Sequence, residues 1–214
     1  MKSILDRLAF YQDRRDEVPN QELAKELART GNRQGISEIA ENLSNKNANV
    51  RADCLKVLYE LGYIRPELIA EHAESFLALL HDRNNRLVWG AMIALSTIAE
   101  LKSAAIGRHA DEIKKVMEKG SVITVDNGVK TLAVVASKEA GLRKNLLSFL
   151  FGHLKDCRPK DVPQHSEKTL VAVDRQSRAE FVRILNGRLP ELSPSQGKRV
   201  KKVISSATRG RRSR

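Results

Sequence analysis

The chain has 214 residues, and 38 lysines and arginines against 26 acidic residues give it a formal net charge of +12 at pH 7. A hydrophobic fraction of 41% excludes wholesale disorder, and six prolines and twelve glycines are too few for a collagen-like or linker-dominated chain. Two cysteines exclude a disulfide scaffold and favour a reducing, cytoplasmic location. We expect neither a secretory signal nor a membrane-spanning segment, and no membrane partner.

Apolar residues recur at intervals of three and four along most of the chain, which is typical of helices and not of strands. The first predicted helix covers residues 3–15 and is interpreted as a cap on the array that follows. Further helices are predicted over 21–30, 34–44, 48–62, 66–81, 85–100, 104–118, 123–137, 141–155, 165–174, 178–188 and 194–206.

A repeat of about 37 residues organises these helices. Residues 43–51 align with 80–88, and in the same ungapped register Cys54 falls on Ala91 and then on Gly128. One such unit cannot bury both of its apolar stripes, whereas stacked units can. The sequence therefore predicts an all-α fold, an α-α superhelix (solenoid) of about five helix pairs.

Positive charge is concentrated at the C-terminal end of the chain. Residues 197–214 contain eight basic residues and no acidic residue, and the final ten residues have too few apolar side chains to pack. We therefore divide the chain into an N-terminal capping helix over 1–19, a repeat array over 20–196 and a basic, partly disordered tail over 197–214.

The segment 49–58, with the sequence NVRADCLKVL, resembles the first helix of a HEAT repeat, because a Val50–Arg51 pair is followed by a small residue and spaced leucines. Residues 85–98 are similar, with Val88 in place of the arginine, and the copy at 124–135 also lacks the arginine. The resemblance covers about residues 20–190. It implies a curved, armadillo-like helical stack whose second helices line a concave face and whose turns form two edges. Such arrays serve many roles, since a fold does not imply a function.

Basic residues recur in the turns that join one repeat to the next. Because corresponding turns stack along one edge of a solenoid, they would form a basic ridge that follows a phosphate backbone or an acidic protein surface. Acidic residues interrupt the ridge, so solvated turns with locally paired charges are the alternative. The candidate partner- or phosphate-binding residues are Lys46, Arg51, Arg83, Arg86, Lys119, Lys155 and Arg158 in the ridge, and Lys198, Arg199, Lys201, Lys202, Arg209, Arg211 and Arg212 in the tail.

Trp89 is the candidate interface residue. It stands where the preceding copy has Ala52 and the following copy has Asp126, so this position tolerates very different side chains. An exposed tryptophan or one in a groove wall would suit the centre of a protein interface. Packing against the neighbouring repeat is the alternative.

No catalytic, cofactor-binding or metal-ligating set is recognisable in the sequence. Cys54 occupies a position that other copies fill with alanine or glycine, so it is predicted to be a buried space-filling residue and not a nucleophile. His72 and His109 are equivalent, but no Cys, Asp or His completes a ligand set around them. We expect no cofactor, no metal and no small-molecule substrate.

The sequence thus favours a non-enzymatic HEAT-repeat scaffold or adaptor that mediates protein–protein interaction. The alternative is a nucleic-acid-binding HEAT protein that uses the basic ridge and the tail for non-specific contacts with the backbone. A third candidate is an enzyme like the DNA alkylation-repair glycosylases, which share the HEAT fold. Those enzymes are rich in Trp and Tyr around an acidic catalytic residue, whereas this chain has one tryptophan and three tyrosines.

Overall fold

The computed structural model describes residues 3–209, and this part of the chain consists of α-helices, 3-10 helices and connecting turns, without a strand. The α-helices are α1 (Val18–Thr30), α2 (Arg33–Glu41), α3 (Ala48–Ile64), α4 (Ala73–Leu79), α5 (Asn85–Ile98), α6 (Ser103–Arg108), α7 (Ala110–Lys119), α8 (Val122–Lys138), α9 (Ala140–Asp156), α10 (Val162–Thr169), α11 (Arg178–Arg188) and α12 (Pro194–Arg209). None of the described helices combines the length and apolar content that a membrane span requires. The chain divides between Gly128 and Val129 into two compact units.

The repeat register is visible in the backbone of the N-terminal unit. Asn47 and Asn84 occupy equivalent positions in successive repeats and are the N-caps of α3 and α5, with φ/ψ of −82°/117° and −83°/106°. Each side-chain oxygen accepts a hydrogen bond at 2.9 Å from the backbone N–H two residues further on. A capping asparagine satisfies one of the donors that a helix start leaves unpaired. The asparagines that align in the two sequence repeats therefore cap the first turns of both helices.

The second helices of two repeats are broken at equivalent histidines. The sequence predicts continuous helices over 66–81 and 104–118, but His72 and His109 precede α4 and α7 as N-cap residues, with φ/ψ of −90°/17° and −104°/14°. These dihedral angles lie outside the helical region. The first predicted helix divides into two 3-10 helices (Pro66–Leu68 and Ala70–His72) and α4, and the second divides into α6 and α7. The repeat therefore preserves the interruption as well as the helices.

The N-terminal segment is not the single helix that the sequence predicts over 3–15. It forms two 3-10 helices, Ile4–Arg7 and Phe10–Gln12. The side chains of Asn20 and Asp53 accept backbone N–H groups of this segment at 3.0 and 2.8 Å, so tertiary partners replace the bonds that an α-helix would supply. Leu8 is fully buried, which shows that the segment packs onto the N-terminal unit.

Close approach of α3 and α5 builds the core of the N-terminal unit. At Gly90 an added Cβ would lie 2.7 Å from Cδ2 of the buried Leu55, so any larger residue would force this side chain to shift. Cys54 is fully buried, as its small-residue position predicts. Burial, together with the charge of Asp53, raises the pKa of the Cys54 thiol to about 12, which leaves it protonated and unreactive.

The basic segment that the sequence assigns to a partly disordered tail is helical as far as Arg209, because residues 197–209 form most of α12. Val200, Val203 and Ala207 recur at intervals of three and four, and all three are buried. This apolar stripe packs α12 against α10 and α11 within the C-terminal unit. Arg211 and Arg212 lie outside the described residues.

Candidate protein-interaction site

Three aromatic side chains gather on one face of the N-terminal unit, although the whole chain holds only one tryptophan and three tyrosines. Tyr59 and Tyr63 lie one turn apart on α3, and Trp89 lies near the start of α5. The ring centroid of Tyr59 is 6.2 Å from that of Trp89 and 6.3 Å from that of Tyr63. We call Tyr59, Tyr63 and Trp89 the aromatic cluster.

The aromatic cluster changes from buried to exposed across its width. Tyr59 is 6% exposed, Trp89 is partly buried, and Tyr63 is 55% exposed. Ile64, next to Tyr63, adds a second large side chain that is half exposed. A buried inner ring holds the outer ring in place, so the cluster offers apolar surface at a low cost in side-chain entropy.

Four charged residues border the aromatic cluster and neutralise one another. The Lys56 ammonium lies 2.9 Å from a Glu17 carboxylate oxygen and 2.7 Å from one of Glu60, and it sits 4.9 Å from the ring centroid of Tyr59. Arg86 forms an ion pair with the other Glu17 oxygen at 3.0 Å. We call Glu17, Lys56, Glu60 and Arg86 the charge network.

The pKa values of two members of the charge network, Glu17 and Lys56, are both shifted toward the charged form. Burial raises the pKa of the Glu17 carboxyl, but hydrogen bonds and charges from Lys56 and Arg86 outweigh burial and hold that pKa below its ordinary value. Burial lowers the pKa of Lys56, but its hydrogen bonds, led by that to Glu60, outweigh this effect and raise the pKa above its ordinary value. Glu17 and Lys56 therefore both carry a charge beside the aromatic rings near neutral pH.

The aromatic cluster and the charge network meet in one crevice between α3 and α5. Glu17, Lys56, Tyr59, Arg86 and Trp89 all contribute to its lining. The crevice is too small to hold a small-molecule ligand, so these residues present a surface and not a pocket. Trp89 packs against the neighbouring repeat through Tyr59, and part of its side chain is exposed.

Several members of the basic ridge are bound to acidic side chains. The ion pairs are Arg51–Asp82, Arg86–Glu17, Lys155–Glu180 and Arg158–Asp161, with N···O distances of 2.9, 3.0, 3.9 and 2.6 Å. Arg51 and Asp82 are both partly buried, and their ion pair connects two repeats. Lys46, Arg83 and Lys119 are exposed. The structure therefore leaves fewer ridge charges available for a phosphate backbone than the sequence suggests.

Helix α12 presents basic side chains on the faces that its apolar stripe leaves outside. Lys198, Lys201 and Lys202 are exposed. Arg199 is bound to the two carboxylate oxygens of Glu167 at 3.0 and 2.7 Å, and Arg209 donates a hydrogen bond to the Ser205 hydroxyl. All five tail candidates in the described part of the chain are thus exposed, and the two arginines also bind neighbouring side chains.

The sequence analysis identifies Trp89 but misses both tyrosines beside it. Their spacing of four residues on one helix was the available signal, because residues at i and i+4 share a helix face.

The sequence analysis also identifies no metal-ligating set. In the structure, ligand atoms of His153, Cys157 and His165 all lie within 4.8 Å of one another.

No family model matches the sequence, and no curated protein matches it. Solved structures match it in fold. An engineered protein is 16% identical with a TM-score of 0.67, and the match covers 98% of each chain. A designed armadillo repeat protein in complex with the peptide (KR)4 is 15% identical with a TM-score of 0.66 over 88% of this chain and 85% of that one. A computationally designed armadillo repeat protein for modular peptide recognition is 14% identical with a TM-score of 0.65, over 94% and 97%. The chain is therefore an all-α repeat solenoid with an armadillo-like architecture.

Proposed function

We propose that this protein is a non-catalytic repeat scaffold that binds a protein or peptide through the aromatic cluster. The observation that carries the proposal is that Tyr59, Tyr63 and Trp89 gather beside Arg86 in a chain with very few aromatic residues. Tyrosine, tryptophan and arginine are the residue types enriched at the energetic centres of protein interfaces.

Two features of the fold support this proposal. Repeat solenoids display their binding residues on extended surfaces formed by successive units. Two of the structural neighbours are described as a complex with the peptide (KR)4 and as proteins for modular peptide recognition. The finer assignment of the repeats to the HEAT type, and a cytoplasmic location favoured by the free thiols of Cys54 and Cys157, belong to the same proposal.

The charge network defines how such a partner is recognised. Because its two cations and two anions are paired with one another, it offers a polar rim without a net charge. A partner would then gain affinity by burying apolar side chains against Tyr63, Ile64 and Trp89. We expect the affinity to change little with salt concentration, which contrasts with the steep dependence of phosphate-backbone binding.

The test selects peptides from a displayed random library on the immobilised full chain and measures their affinity in solution. Trp89 is the one tryptophan of the chain, so its fluorescence reports directly on the proposed site. We expect Tyr63→Ala to weaken binding at least about 10-fold. Tyr11→Ala is the matched control, because Tyr11 is 50% exposed and lies outside the aromatic cluster. If both variants bind the selected peptides like the wild type, or if no peptide is selected, the proposal is wrong.

Nucleic-acid binding is a second candidate function, and α12 is the observation that favours it. The sixteen residues from Pro194 to Arg209 include five basic and no acidic side chains. Their apolar stripe is buried, so Lys198, Lys201 and Lys202 project from a folded helix. A cationic surface of this kind attracts phosphates without reading the bases.

This second candidate is tested by fluorescence anisotropy with labelled duplex DNA and single-stranded RNA at two salt concentrations. Truncation of the chain at residue 196 would remove Val200 and Val203 from the core, so charge variants of the full chain are the appropriate test. Replacing Lys198, Lys201 and Lys202 with Gln should weaken binding. For duplex DNA it should also reduce the slope of log affinity against log salt by about 0.9 for each phosphate that is no longer neutralised. An equal effect from three exposed lysines elsewhere, Lys25, Lys115 and Lys144, would attribute binding to net charge alone.

A further inference from the structure

We infer that His153, Cys157 and His165 form a binding site for a transition-metal ion of the zinc class. His153 lies in the last turn of α9, Cys157 is the residue that ends this helix, and His165 lies in α10. Nε2 of His153 is 2.9 Å from Nδ1 of His165, and one ligand atom from each of the three residues lies within 4.8 Å of the other two.

The separations are close to those that a bound ion requires. In tetrahedral zinc sites the metal–nitrogen distance is about 2.0–2.1 Å and the metal–sulfur distance about 2.3 Å, which places neighbouring ligand atoms about 3.3–3.6 Å apart. The observed separations extend from slightly below this range to about 1 Å above it. Small rotations of the three side chains would therefore bring all the ligand atoms to their positions without moving the backbone.

The residue types select the class of ion. Two imidazoles and one thiolate are ligands for Zn²⁺, Co²⁺ and copper, whereas Mg²⁺ and Ca²⁺ prefer oxygen atoms. His165 is buried, while His153 and Cys157 are partly exposed, so an ion and a water molecule could reach the site. Three protein ligands would leave the fourth tetrahedral position to that water.

The backbone around the site is held in place by interactions of its own. The Cys157 N–H donates to the His153 carbonyl at 2.8 Å, so two of the three ligands are connected by the last hydrogen bond of α9. The buried Arg188 guanidinium donates to the carbonyls of Leu154 and Cys157, both at 2.7 Å, and also to that of Lys155. The end of α9 is therefore rigid before any ion binds, which favours binding because little freedom is lost.

The competing explanation is a hydrogen bond between two packed imidazoles with the thiol merely nearby. The two explanations differ in the part played by Cys157, because a hydrogen-bonded histidine pair does not need sulfur. The test treats the full chain with a chelator, removes the chelator and titrates Co²⁺, Zn²⁺ and Mg²⁺ in separate experiments. We expect one Co²⁺ per chain with visible bands of tetrahedral intensity and a near-ultraviolet thiolate band, displacement of Co²⁺ by Zn²⁺, and no response to Mg²⁺.

Substitutions assign the ligands. Cys157→Ser should abolish the thiolate band and weaken Zn²⁺ binding at least about 10-fold. Cys54→Ala is the matched control, since the equivalent positions hold Ala91 and Gly128, and it should leave the band and the affinity unchanged. His153→Gln should also weaken binding, and the exposed His81→Gln should not. Circular dichroism of each variant checks that it remains folded.

A wild-type protein without a thiolate band, or a Cys157→Ser variant that binds Zn²⁺ as the wild type does, would overturn the proposal. The His153→Gln variant keeps the proposal testable if the cysteine variant does not fold. Because none of these measurements involves the aromatic cluster, the result does not depend on the protein-binding function.

Discussion

Both compact units of this chain contain long-range polar bonds, but the N-terminal unit also repeats one local bond at equivalent helix starts. In the N-terminal unit the same short-range bonds recur from repeat to repeat, as in the capping bonds of Asn47 and Asn84. In the C-terminal unit single side chains make long-range bonds, since Arg188 binds carbonyls more than thirty residues away and Arg199 binds Glu167. Stability that is divided among equivalent local bonds tolerates the loss of one, whereas a bond made once has no substitute.

Substitution of Arg188 with Met should have the largest effect on stability. Arg188 is 7% exposed and donates to three carbonyls at the end of α9. Methionine fills much of the same space but leaves these acceptors without a donor, so we expect a loss of about 3 kcal/mol in the free energy of unfolding. Urea denaturation followed by circular dichroism measures it. Arg188→Lys should recover only part of the loss, because a lysine ammonium lacks the planar guanidinium group that donates to several carbonyls at once. An unchanged urea midpoint for Arg188→Met would remove the contrast between the units.

Two glycines inside helices should respond in opposite directions to the same substitution. Gly90→Ala places a methyl group 2.7 Å from the buried Leu55, so we expect a loss of about 1–3 kcal/mol from overpacking. Gly152 in α9 has no atom within 4 Å of the added methyl group, and Gly152→Ala should gain about 0.5–1 kcal/mol from helix propensity. Thermal unfolding of both variants provides the measurement. A Gly90→Ala variant as stable as the wild type would show that helix spacing in the N-terminal unit is not limited by Gly90.

The capping asparagines should be equivalent in energy as well as in geometry. We expect Asn47→Ala and Asn84→Ala to cost about 1 kcal/mol each, because each removes one bond to an unpaired helix donor. Asn49, exposed within α3, is the control, and its replacement by alanine should be neutral or slightly stabilising. Urea midpoints of the three variants test this. A cost at one cap and none at the other would contradict the structural equivalence of the repeats.

The smallest effect is expected from protonation of His72, for which we predict only the direction. Burial lowers the pKa of this imidazole below its ordinary value, although the charges of Glu71 and Glu41 partly oppose burial. The unfolded chain therefore binds the proton first as the pH falls, and stability present above about pH 6.5 is lost below it. His72→Asn should lose less stability than the wild type between about pH 7.5 and pH 5.5. Thermal unfolding of the wild type and this variant across the pH range provides the measurement, and equal losses in both would contradict the prediction.

Much of the fold could be predicted from the sequence because its signals are local. Asparagines at helix starts and apolar residues at intervals of three and four placed α3, α5 and α9 to within two residues at either end. The N-terminal 3-10 helices could not be predicted in this way, because Asp53 and Asn20 compete with helix formation from outside the segment. The helix predicted over 194–206 is present as α12, and it extends three residues further, to Arg209, into the segment that the sequence analysis assigns to a partly disordered tail.

The candidate sites could be predicted from the sequence less completely than the fold. Trp89 could be identified because it interrupts the repeat, but its contact with Tyr59 depends on how closely α3 and α5 approach, which Gly90 permits. His153 and Cys157 have the i and i+4 spacing of residues on one helix face, yet a third ligand from another helix was needed to make the pattern significant.

The helical class, the repeat register and the burial of Cys54 could be predicted from the sequence, since each follows from neighbours a few residues away or from periodicity. Which side chains meet across helices could be read only from the packed structure. The aromatic cluster, the pairing of the basic ridge and the association of His165 with His153 depend on helix spacing and side-chain rotamers. These quantities result from packing the whole unit to a dense core, which no local stretch of sequence specifies.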